Sequence, residues 1–257
     1  MDTQTVLTLL QDVAAEVIDP RFRALADGDV TSKTHPGDLV TVADREAEVI
    51  LARELRAAYP DAMVLGEEAY AEDASLLASF REAGHAFTVD PVDGTRNFVH
   101  GSPDHAVMVA EVLAGEAVRA WIWQPQHRRA YVAERGQGLW CDGRRVERAA
   151  PGPDPAAWRV RASSPALVGT QVGPAGPLQQ TWISCGIDYP HLAEGDCDAL
   201  VYRGTMPWDH VPGSLMLEEV GGVVLTTDGE RYSPGGRPRG LVAAASPEVA
   251  GRLVADL

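Results

Sequence analysis

The sequence predicts an α+β fold, on three observations. Two amphipathic helical patterns open the chain, four β-prone runs follow in hairpin-like succession, and a Pro/Gly-rich stretch then leads into a shorter alternation of strands and helices. From Thr3 to about Ala26, Val6, Leu9, Leu10, Val13, Val17 and Ile18 recur near a period of 3.6, so a first helix is expected there, closed by Gly28 and Asp29. VTSKTHPGDLVT at 30–41 reads as a loop or loose hairpin around Pro36 and Gly37. A second helix is expected from Ala43 to Tyr59, with Val42, Val49, Ile50, Leu51, Leu55 and Ala58 toward the core, Asp44 in its first turn and Pro60 stopping it.

MVLGEE at 63–68 starts as an apolar strand and ends in two carboxylates, and AEDASLLASFREAG at 71–84 reads as a third helix. HAFTVD at 85–90 is another apolar run, ending in the turn DPVDGT. AVMVAEVL, AVRAWIW, RAYVAE and GLWC, between 106 and 141, then predict antiparallel sheet. AAPGPDP at 149–155 is the best linker, which divides the chain into an N-terminal part, 1–148, and a smaller C-terminal α/β part, 149–257. In the second part WRVRAS, LQQTWISCG and DALVYRG read as strands or strand and helix alternations. A helix from Asp209 to about Val220, the strands VVLTT and LVAAA, and a last helix capped by Ser246 and Pro247 complete it.

Composition narrows the function. Of the 257 residues, 22 are basic and 37 acidic, a formal net charge of −15 that repels nucleic acid and anionic lipid. If the substrate is nonetheless anionic, cations held by clustered carboxylates are the simplest way to reverse the sign locally. Cys141, Cys185 and Cys197 show no CxxC spacing and cannot all pair, which fits a reduced, cytoplasmic protein. The N-terminus lacks the basic start and unbroken apolar run of a secretory leader, and no stretch approaches the roughly 18 apolar residues of a membrane span.

Three acidic clusters sit where strands end or helices begin: Glu67 with Glu68, Asp90 with Asp93, and Asp209. Carboxylates with a backbone carbonyl suit Mg²⁺ or Mn²⁺, and the lack of Cys/His ligand spacing argues against zinc. Gly94 and Thr95 open what reads as a short helix, whose backbone N–H groups make a phosphate cradle. Taken singly, Asp90 and Asp93 could shape a turn and Asp209 cap a helix. His100, His105, His127 and His191 read as loop or packing residues, His210 as a neighbour that orients Asp209, and Trp121, Trp123 and Trp140 as core or subunit-interface residues.

GEE at 66–68, DPVDGTRNF at 90–98 and WDH at 208–210, with DLVTVAD at 38–44 and AERGQGLWCDG at 133–143, resemble the inositol monophosphatase family over nearly the whole chain. The resemblance implies a layered α/β/α/β/α sandwich, shared with fructose-1,6-bisphosphatases, and a lithium-sensitive phosphomonoesterase with two or three Mg²⁺ ions. By that resemblance Glu67, Asp90 and the Val92 carbonyl hold one ion, and Asp90, Asp93 and Asp209 a second. Thr95 and Asp44 orient the attacking water, Gly94 and Thr95 bind phosphate, and Glu68 supports the ligands from behind. Lys33 falls where many members carry a lysine in a mobile loop, although a solvated loop residue explains it equally well. Family members are commonly dimers, so a homodimer is implied.

Two segments depart from the pattern that selects inositol phosphates. Tyr202, with Arg203 beside it, stands where inositol-selective members use a glutamate, and ISCG at 183–186 leaves Ser184 and Cys185 lining the pocket. These residues keep open a hydrolase of 3'-phosphoadenosine 5'-phosphate or of histidinol phosphate. A metal- or phospholigand-binding protein without catalysis is a third reading.

Overall fold

Alternation of buried side chains gives each sheet of this protein two apolar faces, and five layers follow from that. The computed structural model describes residues 1–33 and 39–257. The middle of the loop expected at 30–41, residues 34–38, lies outside them. Helix α1 (Thr3–Val13) is capped by Asp2, whose carboxylate accepts the Thr5 N–H at 2.7 Å. It continues through one π turn (Ala14–Ile18) and one 3₁₀ turn (Asp19–Arg21). The helical run thus ends at Arg21, short of the Ala26 expected from periodicity, where Pro20 withholds a backbone donor. Strands β1 (Val30–Ser32) and β2 (Leu39–Thr41) pair antiparallel and lead into α2 (Val42–Ala58).

Next come β3 (Met63–Gly66), α3 (Glu67–Glu72), α4 (Leu76–Glu82), β4 (His85–Asp93) and α5 (Thr95–Val99). The single helix predicted over 71–84 is two helices, because Asp73 adopts an extended backbone and its carboxylate takes the Ser75 N–H at 2.9 Å. The expected hairpins are β5 (Ala106–Leu113), β6 (Glu116–Gln124), β7 (Arg129–Glu134) and β8 (Gly138–Cys141), joined by a short β9 (Arg144–Arg145). β3 to β9 form one seven-stranded sheet in sequence order, parallel only between β3 and β4.

The C-terminal elements are β10 (Val160–Ala162), β11 (Gln179–Gln180), α6 (Cys185–Glu194), β12 (Ala199–Tyr202), α7 (Pro207–Glu218), β13 (Val223–Thr226), β14 (Leu241–Ala244) and α8 (Pro247–Val254). Their five strands pair in the order β11-β10-β12-β14-β13. Of LQQTWISCG, only Gln179 and Gln180 are strand, and Cys185 already opens α6.

Successive side chains pack on opposite faces of the strands, as a period of two requires. On β5, Val107 and Val109 pack under α1 and α2, whereas Ala106, Met108 and Ala110 face α6 and α7. On β14, Leu241 and Ala243 join that same middle core, while Val242 and Ala244 pack against Val249 and Leu253 of α8. The layers are therefore α1/α2, seven-stranded sheet, α6/α7, five-stranded sheet and α8, an α+β sandwich of the kind the resemblance implies. No helix among the described residues is long and apolar enough to cross a membrane.

Candidate active site

The buried face of α2 differs from the predicted one: Val49 is 67% exposed, and Asp44 and Glu48 point inward with Ala47, Leu51 and Leu55. Both acids are held by backbone donors. Asp44 Oδ2 accepts the Thr41 N–H at 2.9 Å and the Thr41 hydroxyl at 2.5 Å, closing a capping box at the start of α2. Glu48 accepts the Glu68 and Ala69 N–H groups at 2.7 and 2.8 Å, and so fixes the first turn of α3. Residue 66 must be glycine for this, since a Cβ there would overlap the Glu48 carboxylate. The GEE motif is thus a glycine that admits a buried acid, followed by two carboxylates on a helix held by it.

Lys33 Nζ donates to Glu67 Oε1 at 2.8 Å and to Glu68 Oε1 at 2.5 Å. The sole lysine is a partner of the acidic motif. Burial acts against its charge, but Glu67 and Glu68 prevail and hold the ammonium above the usual lysine range. Burial pushes Glu68 up to about 7 against the opposing pull of Lys33.

On β4, the pairing partner moves from Met108 at Asp90 to Ala106 at Asp93, so three steps on one strand match two on the other. This bulge, where sequence predicted a turn after Asp90, spares Pro91 a ladder bond and overrides the alternation that would send the two acids to opposite faces. Asp90, Asp93 and Asp209, the last from the first turn of α7, each offer an oxygen within 4.8 Å of the others. Asp90 and Asp93 are 1% and 6% exposed. Burial, then Glu67 and the neighbouring acids, pushes Asp90 and Asp209 well above the carboxylate range; burial takes Asp93 to about 6. Hard oxygen donors whose like charges need compensation fit a divalent cation.

Asp93 also binds the C-terminal part of the chain. It accepts the Cys185 and Gly186 N–H groups at 3.1 and 2.7 Å and the Ser184 hydroxyl, all at the start of α6. Thr95 Oγ1 lies 2.9 Å from Asp44 Oδ1 and 3.0 Å from the Val92 carbonyl oxygen. Gly94, at φ +80°, turns the chain from β4 into α5, and Asn97 Nδ2 donates to the Asp104 and Trp182 carbonyls at 2.7 and 2.8 Å.

The residues expected to line a substrate pocket do not all lie together. Ser184, Cys185 and Tyr202 line a cavity of ≈ 200 Å³ that also reaches Asp93 and Asp209. Tyr202 does not offer its hydroxyl there, because it donates to Asp188 at 3.0 Å. Arg203 is exposed and does not line this cavity, a correction to its expected place. Asp188, buried and pushed up to about 8 by desolvation, also accepts the Trp182 N–H at 2.7 Å. It and Glu48 escaped the sequence reading. Glu48 was findable, because 44, 48, 51 and 55 fall on one helical face. His210 lies between the Tyr189 hydroxyl and the Gly204 carbonyl, each at 3.0 Å, as a packing residue. A second cavity of ≈ 690 Å³ is lined by Lys33, Glu67, Tyr70 and Trp208 and shares Asp209 with the first.

The five-layered fold and the acidic cleft fit the class that the comparisons with known proteins show, a phosphoric monoester hydrolase. The family profile described as the inositol monophosphatase family matches residues 2–257, and the chain belongs to that family. It is 32% identical over 222 residues to the inositol-1-monophosphatase of Rhizobium meliloti, covering 79% of this chain and 76% of that protein. Among solved structures it resembles the extragenic suppressor protein suhB of Bartonella henselae, with a TM-score of 0.78, 26% identity and 99% and 97% of the two chains covered. An IMPase/NADP phosphatase complexed with Mg²⁺ and phosphate has the same fold, with a TM-score of 0.75, 22% identity and 97% and 92% covered.

Proposed function

We propose that this protein hydrolyses a small phosphate monoester of the inositol 1-phosphate type with two or three Mg²⁺ ions, Mn²⁺ being a possible substitute. The observation that carries the reading is the convergence of Asp90, Asp93 and Asp209, from β4 and α7, in one group whose first two members are buried and whose third is half-buried. Glu67, Asp90, the Val92 carbonyl, Asp93 and Asp209 would hold the ions. When bound, Mg²⁺ supplies charge neutralisation at the phosphoryl oxygens and lowers the pKa of water.

The protein's own residues set the direction of attack. Asp44 takes both Thr41 donors on one oxygen and the Thr95 hydroxyl on the other, so its charged form is favoured against the burial that raises it to about 6. With its proton committed to Asp44, Thr95 Oγ1 can accept a hydrogen bond from water and aim that water's free lone pair at phosphorus. Gly94 and Thr95 would bind phosphate oxygens through backbone N–H groups. Ser184 and the start of α6 keep Asp93 in place, and Lys33 and Glu48 hold Glu67 and Glu68.

The organisation that goes with this function is an N-terminal part, 1–148, bearing most of the ligands, and a part, 149–257, supplying Asp209 and the pocket. We further place the enzyme as a lithium-sensitive cytoplasmic homodimer. The three free thiols fit that compartment. The test is phosphate release from inositol 1-phosphate, histidinol phosphate, 3'-phosphoadenosine 5'-phosphate and glycerol 2-phosphate with Mg²⁺, with EDTA and with Li⁺. Release that survives EDTA, or none from any substrate, would overturn the proposal.

A further inference from the structure

A cavity of ≈ 440 Å³ adjoins the ≈ 690 Å³ cleft at the carboxylates, and the two share Tyr70 and Met206 as a common wall. Tyr70 tilts against Trp208, the residue before Asp209, with ring centroids 5.1 Å apart, so an aromatic pair runs from the acids toward this second space. Its lining carries two guanidinium groups, Arg81 from α4 and Arg237 from the loop between β13 and β14. Arg81 is oriented by the loop that bears Arg237, since its Nε donates to the Gly235 carbonyl at 2.9 Å and its Nη2 to the Gly236 carbonyl at 3.5 Å, which leaves Nη1 without a partner among the described residues.

Among the described residues neither arginine forms an ion pair with a carboxylate, in a chain where acids outnumber bases 37 to 22. Desolvation, and after it the nearby Arg237 charge, lowers the affinity of Arg81 for its proton, so the two guanidinium groups are close enough to repel. A planar, forked cation pair at the wall of an open cavity suits an oxyanion such as a phosphate or carboxylate.

We propose that Arg81 and Arg237 form a second anion subsite, which takes the distal phosphate or carboxylate of a substrate whose scissile phosphate lies at Asp90, Asp93 and Asp209. The inference rests on the metal-dependent hydrolase reading above but departs from its inositol 1-phosphate choice, favouring doubly anionic monoesters with a spacer long enough to pass Tyr70 and Met206.

Steady-state kinetics with Mg²⁺ compare glycerol 2-phosphate, which has one anionic group, with fructose 1,6-bisphosphate and 3'-phosphoadenosine 5'-phosphate. The variants are Arg237→Glu, on an exposed side chain, and Arg81→Gln with Arg237→Gln, each checked for an unchanged melting temperature. Loss of a charge-assisted contact should raise KM roughly tenfold for at least one two-phosphate substrate, with kcat and the glycerol 2-phosphate constants nearly unchanged. Because Arg237→Glu reverses a charge, it alone is sufficient should the double variant fold poorly. Equal effects on all three substrates, or none on either two-phosphate compound, overturn the subsite. No metal-dependent release from any compound by the unmodified protein overturns instead the hydrolase reading, and the subsite with it.

Discussion

The Thr95 hydroxyl reaches Asp44 Oδ1 at 2.9 Å and joins the start of α5 to the start of α2 across 51 positions of sequence. The contact does different work at its two ends. Thr95 makes its other close contact with a backbone carbonyl, whereas Asp44 also caps α2 through Thr41.

Thr95→Ala should therefore lower kcat by about two orders of magnitude, as for loss of a group that positions a proton transfer, while the melting temperature stays close to that of the parent. Asp44→Asn should lower kcat and also cost about 1 kcal/mol of stability through the cap. The double variant should lose little more kcat than either single one; multiplicative losses in a kinetic double-mutant cycle would show that the two residues act independently.

Compensation of the buried acids gives a thermal prediction. Mg²⁺ at a hundredfold excess over its Kd should stabilise the protein by about 2.7 kcal/mol by linkage alone, reversed by EDTA. Asp209→Asn removes one like charge, so in EDTA it should melt higher than the parent and gain little from Mg²⁺. Scanning calorimetry in both buffers decides it; an undiminished Mg²⁺ response would take Asp209 out of the ligand set.

His105 gives a pH dependence away from the acids. It is 1% exposed, lies against Phe22 and Phe98 with centroids 5.1 Å away in each case, and burial lowers its pKa from 6.5 to about 4. The unfolded chain takes up its proton first on acidification, so stability is full above about pH 6.5 and declines toward pH 4. Between pH 7.5 and 4.5 this residue should account for about 2 kcal/mol of lost stability, seen as a shallower pH slope in urea unfolding of His105→Phe. Equal slopes in the two proteins would refute the assignment.

Ile183 is a β-branched residue at φ +63°, 44% exposed at the lip of the cavity that holds Ser184 and Cys185. That backbone region is strained for any branched side chain. Ile183→Gly should raise stability by about 0.5–1 kcal/mol, less than the full strain because glycine also loosens the unfolded chain. A denaturation midpoint lower than the parent's would mean that the isoleucine side chain contributes more by packing than it costs in backbone strain.

The sequence carried the acids but not all of the geometry that unites them. Hydrophobic period and the strand, acid and turn pattern put Glu67, Asp93 and Asp209 near element ends, whereas Asp90 lies inside β4. The bulge at Asp90–Asp93 was not legible, since it depends on the register of β4 against β5. Nor was α6, where Gly186 and Pro190 suppress the helical signal and Asp93, distant in sequence, supplies the anchor for its first turn. The inward face of α2 is not legible from its apolar residues, because Asp44 and Glu48 take two of its buried positions. Tyr202 lines the cavity, but the Asp188 partner that occupies its hydroxyl lies on a helix no local pattern announces.

The anchoring of Asp93 by Ser184, Cys185 and Gly186 also bears on synthesis. A nascent chain emerging from the ribosome presents β4 long before α6 and α7 exist, so for that interval its acids face solvent with neither their anchor nor their third member. On the proposed function, which needs Asp209, activity can begin only once more than four-fifths of the polypeptide has left the exit tunnel.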